Sequence, residues 1–171
     1  SKSLSGKKLS RQIDNQRFGF TARIILGKRS DIYGELMAFI IKQRSAKENF
    51  TIIPPEVEDA RGVETGTLAV NGSHTAGDTT IAIDGFAADT ANRLRTGDFI
   101  KFNGHTKIYM VVADVTSSSG AATVTIEPPL VSALANDETV SYDNIPFTVH
   151  LTNDIQEFGV VGADKSGNLL Y

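Results

Sequence analysis

Residues 95–112, RTGDFIKFNGHTKIYMVV, constrain the fold of this chain more than any other stretch. Asn103-Gly104 is a dipeptide suited to the two positive-φ positions of a type I′ turn, and alternating residues flank it, so the segment reads as a tight β-hairpin. Phe99 is set against Lys101 on the first arm. On the second, Ile108 and Met110 alternate with Lys107, Tyr109 and Val111. A period of two marks strands with one buried face, and Phe99 is read as core. On these grounds alone the hairpin belongs to a small antiparallel barrel of unspecified function.

The chain has 171 residues, enough for one mid-sized domain or two small ones, and its 40% hydrophobic content supplies a core in either case. It contains no cysteine and no tryptophan, which excludes a disulfide framework and a thiolate metal site. No apolar run approaches the roughly 18–20 residues of a membrane span, and the opening SKSLSGKKLSRQ is polar and basic, so a soluble chain is expected. Starting at Ser1 and ending in Leu169-Leu170-Tyr171, it reads as the ordered portion of something slightly longer. The net charge of -3 hides an asymmetry. Residues 1–61 carry 12 Lys or Arg against 7 Asp or Glu, whereas residues 62–171 carry 5 against 13, and the first thirty residues hold eight basic side chains against Asp14 alone. Such a leading segment suits an acidic neighbour, and the acidic remainder lacks the basic stripe of a dedicated nucleic-acid binder.

Along the chain, residues 16–26 (QRFGFTARIIL) alternate as a long strand. Ser30 or Asp31 then caps an amphipathic helix of about 13 residues starting near Ile32, with Glu35 early and Lys42 and Arg44 late as the helix dipole prefers; its apolar stripe is expected to pack on a sheet. Phe50–Ile53 is a short strand stopped by Pro54-Pro55. Short strands follow at 67–70, 79–83, in the two hairpin arms, at 122–126 and at 138–141, separated by Asn71-Gly72, Gly77-Asp78, the loop 116–120 and Pro128-Pro129. That spacing predicts a small closed or nearly closed barrel. Residues 145–151 (IPFTVHL) return to longer alternation, and 155–161 and 169–171 supply further strands. The economical architecture is mainly β: a β-sandwich with one packed α-helix from residues 1–61 and 144–171, into which a β-barrel of residues 62–143 is inserted between turn-prone ends.

No motif carries chemistry. His74, His105 and His150 lack metal-ligand spacing and read as surface or satisfied histidines, no serine sits in a G-x-S-x-G elbow, and Glu56/Glu58 and Asp137/Glu138 read as solvated loop acids. Phe99, Phe102 and Tyr109 offer the types of a stacking platform for bases or sugars, but alternation explains Phe99 as core. No catalytic residue, cofactor or metal is expected, and the chain reads as a non-enzyme.

MAFIIKQRSAKENFTIIPP at 37–55, ARG at 60–62, GDFIKFNGHTKIYMVVADV at 97–115, TVTIEPPL at 123–130 and IPFTVHLTNDIQEF at 145–158 together resemble bacteriophage tail proteins. The likeness is to the distal tail protein of long-tailed phages, in the version with an inserted oligonucleotide/oligosaccharide-binding-type (OB-like) barrel, and tail tube proteins are its near relatives. The resemblance implies a virion protein, assembled in the host cytoplasm, whose sandwich-and-helix core closes a hexameric ring between the tail tube and the baseplate hub or fibres. It implies neither a membrane nor a specific nucleic acid as partner. Within that frame Arg17, Phe18 and Arg23 are the candidate subunit-interface residues, since a head-to-tail ring needs complementary faces. The competing class is a tail-tip module whose inserted barrel binds host surface glycan.

Overall fold

The computed structural model describes residues 17–21 and 34–153, and these fall into two compact units: 17–21 with 53–147, and 34–52 with 148–153. The chain is mainly β with one short helix.

Six strands of the first unit close a barrel in the order β2-β3-β6-β5-β4-β7, every pairing antiparallel: β2 Leu68–Val70, β3 Thr80–Asp84, β4 Phe99–Phe102, β5 Tyr109–Val111, β6 Ala121–Glu127 and β7 Thr139–Ser141. The predicted strands and the closed barrel are therefore present. Each strand is short and alternates, sending Leu68, Val70, Ile81, Ile83, Ile100, Phe102, Tyr109, Val111, Val124, Ile126 and Val140 inward with at most 3% exposure. Phe86, Leu94 and Val115 plug one end of this core, beyond β3 and β5, and Leu130 and Leu134 plug the other between β6 and β7. The OB pattern has five strands and is partly open. Here β7 pairs with both β2 and β4 and leaves no gap, so the barrel departs from that pattern in strand number and closure.

Two details of the central hairpin differ from expectation. Neither Asn103 nor Gly104 has a positive φ, so the turn is not type I′; the backbone instead turns through Phe102–His105, His105 N–H donating to the Phe102 carbonyl at 3.0 Å. Gly104 is needed for proximity. Its N–H donates to Glu138 Oε1 at 2.6 Å, and a Cβ there would lie 2.7 Å from the same oxygen. The inward face of β4 is Ile100 and Phe102, with Phe99 and Lys101 half-buried on the outside. The charge of Lys101 decides this, because an inward Phe99 would carry an unpaired ammonium into the core two residues later. Phe102 and Tyr109 accordingly share the inward face, with ring centres 5.4 Å apart inside the core, while Phe99 lies outside, and the three form no common exposed platform.

In the second unit, α1 spans Gly34–Lys42, and β1 (Phe50–Ile52) pairs with β8 (Phe147–Val149) in a two-stranded sheet; the unit boundary falls inside β8, after Phe147. Glu35 and Lys42 occupy the first and last turns as expected. No residue of α1 is buried, and Phe39 and Ile41 are 40% and 58% exposed, contrary to the core helix predicted. Nine residues against two short strands find little surface to cover: Phe39 meets Phe50 edge to face at 5.1 Å, and Ile41 remains open. Residues 17–21 form no strand, and Arg23, the cap at 30–31 and the strands expected at 155–161 and 169–171 lie outside the described residues.

Candidate subunit interface

Residues 17–21 lie along the outside of the barrel, held by aromatic rings. Phe18 is half-buried, edge-on to Phe99 at 5.2 Å and to Phe147 at 6.4 Å, while Phe20 meets Phe147 at 4.9 Å and stays 42% exposed. Phe99 and Phe147 are themselves in edge contact at 5.2 Å, and Lys107 Nζ lies 5.8 Å from the Phe18 ring centre. Of the three sequence candidates, Arg17 is exposed beside this cluster and Phe18 is a member of it; Arg23 is outside the described residues. Phe99, which alternation assigned to a strand core, and Phe147 are the residues sequence reasoning missed here. Their ring partners lie about fifty to over a hundred positions away, where no local pattern reaches.

The acidity of the barrel has a structural origin. Asp143 accepts the Ala60 N–H, Asp98 those of Arg61, Gly62 and Arg95, Asp78 that of Thr75, Asp89 those of Ser119 and Gly120, Asp114 that of Thr96, and Glu138 that of Gly104. The Thr96 N–H and hydroxyl hold the Asp114 carboxyl below its usual range. Turns that cannot bond within a ladder are satisfied by carboxylates, and the net negative charge follows.

Glu64 is the buried extreme. Its Oε1 accepts the N–H groups of Thr65, Gly66 and Ala87 at 2.9, 2.5 and 3.0 Å, and its Oε2 takes Arg93 Nε at 2.7 Å; the Arg93 and Glu64 side chains are 5% and 0% exposed. Burial pushes the carboxyl's pKa up, but the Arg93 bond and the three N–H bonds together outweigh it and hold Glu64 at about 2. Arg93 Nη2 is buried with no hydrogen-bond partner, so Glu64 carries much of the compensation for that guanidinium. Nothing in the sequence marks two residues 29 positions apart as partners.

At the other end, Ser132 Oγ, His105 and Tyr109 form a chain: Oγ to Nε2 at 2.9 Å and Nδ1 to the phenol at 2.8 Å. Hydrogen-bond bookkeeping makes it structural. The Tyr109 oxygen already accepts the Val131 N–H, so its proton goes to Nδ1, leaving the proton on Nε2 facing Ser132 and the Ala133 carbonyl at 3.4 Å. Burial raises the Tyr109 pKa, the Val131 N–H opposes and Glu138 adds, so the phenol stays a donor. His105 thus tethers the 130–134 loop as a satisfied histidine. Tyr109→Phe removes one donor and one acceptor and is expected to cost about 1–3 kcal/mol in urea unfolding, with tryptic cleavage unaltered at the far end of the barrel. His74 is also engaged, its Nε2 accepting the Ala82 N–H at 3.1 Å, and His150 is exposed after β8. Among the described residues no group of three or more metal-ligating side chains gathers, and no helix is long and apolar enough to cross a membrane. Neither a protein-family model nor a curated protein matches this chain.

Proposed function

We propose that this chain is a structural virion protein of a phage tail tip or baseplate, forming a ring that joins the tail tube to the hub or fibres. In this reading residues 1–61 and 144–171 make the ring-forming sandwich-and-helix domain, and 62–143 are an inserted barrel. The observation that carries it is the way the barrel is stitched into the chain. Ala60 N–H donates to Asp143 at 2.7 Å and Asn144 N–H to the Glu58 carbonyl at 2.6 Å, so the chain goes into and comes out of the barrel at one point. That geometry suits an insertion, and the tail-protein likeness runs through the flanking segments as well as the barrel. The ring-forming role accounts for apolar surface left open on α1 and on Phe20. Electron micrographs and sedimentation of the purified chain are expected to show closed rings, and lone particles at all concentrations would refute the reading. Arg17→Glu with Arg23→Glu is expected to abolish rings while leaving the circular dichroism spectrum intact, because two basic side chains of the leading segment become acidic and its attraction to the acidic barrel of a neighbour is weakened.

A further inference from the structure

We propose that residues 17–21 are an exchangeable strap which, in the assembled ring, lies on the β4–β5 face of a neighbouring copy; the inference rests on the ring reading above. Phe99 and Met110 are cross-strand partners whose neighbours Ile100 and Tyr109 point into the barrel, so this pair forms an apolar outer face that needs a cover. The cover is the strap. It joins no sheet and no helix, and its aromatic side chains rest on the barrel by the edge-on stacking of Phe18 and Phe20 on Phe99 and Phe147, with Lys107 over Phe18. All of these groups exist on every copy, so a strap that crosses to the next subunit makes the same contacts it leaves. Exchange of an identical element is a low-cost route to assembly, and within a ring the neighbour's face is held at high effective concentration.

Charge makes each crossing an attractive link between copies. Residues 62–143 carry four Lys or Arg against ten Asp or Glu, and the first thirty residues carry eight basic side chains against one acid. A strap that crosses therefore adds attraction between copies, in the head-to-tail sense that closes a ring.

The absence of cysteine makes the test clean. Gly19→Cys places a thiol in open space, and Lys101→Cys places one on the outer side of β4, two residues from Phe99; neither touches the four rings. The two single-cysteine chains, one isotopically labelled, are co-assembled and treated with a short bismaleimide. Exchange predicts a 19-to-101 cross-linked heterodimer identified by mass spectrometry, with Phe18→Ala lowering its yield about tenfold. A double-cysteine chain in intact rings that yields only intrachain cross-links overturns the exchange and leaves the ring reading standing. A chain that sediments only as a monomer overturns the ring reading and the exchange with it.

Discussion

Glu64→Ala is expected to destabilise the barrel by about 3–5 kcal/mol, a large share of the roughly 5–15 kcal/mol available to a domain. The cost is not the loss of one attraction. With Glu64 gone, the Arg93 guanidinium sits 5% exposed with Nη2 already unpartnered and Nε newly so, and three backbone N–H groups lose their acceptor. The double variant Glu64→Leu with Arg93→Met should recover much of the loss, since it removes the stranded charge as well; urea unfolding of the three proteins measures the difference. The pair also sets acid sensitivity. Glu64 titrates at about 2 in the fold and at its ordinary value of 4.5 when unfolded, so the unfolded chain binds the proton first as pH falls. This contribution is full above the unfolded value, declines between the two and vanishes below the lower one, amounting to about 3 kcal/mol. Glu64→Gln should therefore be less stable than the parent near neutrality, and its stability should fall less steeply across that acid range.

The barrel was legible because its strands are short, alternate strictly and end at Asn71-Gly72 and Gly77-Asp78, where Gly72 and Gly77 do adopt positive φ. Patterns that act over two to four residues survive in the fold. What failed needed distant information. In Phe-Ile-Lys-Phe both faces of β4 present a phenylalanine; Lys101 sets which face turns outward, and the partner on each side, the barrel core for Phe102 and the ring of Phe18 for Phe99, completes the assignment. Tyr109 points inward because His105 and Val131 satisfy its hydroxyl there. The acids at 137–138 read as solvated, yet Glu138 reaches back 34 positions to fix the turn at Gly104, which is why an Asn-Gly signal correct about a turn was wrong about its type. Of the aromatic cluster beside Arg17, the sequence singled out Phe18 alone, while Phe99 and Phe147, which hold it, became visible only in three dimensions.

Two glycines with nearly the same backbone separate conformational strain from steric exclusion. Gly72 and Gly85 have φ of 88° and 83°, so alanine at either position pays the same penalty for a left-handed conformation, about 1–2 kcal/mol. A Cβ on Gly72 meets nothing within 4 Å, and its N–H bond to Asn136 is unaffected by the change. A Cβ on Gly85 lands inside the Thr67 carbonyl, just before β2, with the Leu68 Cα 3.4 Å away. The obstacle is backbone, and it cannot swing aside: β2 and β3 are paired one residue further on at Ala69 and Asp84, while Gly66, against whose own Cβ position the Gly85 carbonyl packs, binds Glu64. Gly85→Ala must therefore part β2 from β3 at the barrel end where Leu68 and Phe86 are buried, and it is expected to cost at least about 3 kcal/mol more than Gly72→Ala in urea or thermal unfolding. Equal losses for the two variants would mean that this end of the barrel yields freely, and the tight crossing at Gly66 and Gly85 would then have no part in holding Glu64 against Arg93.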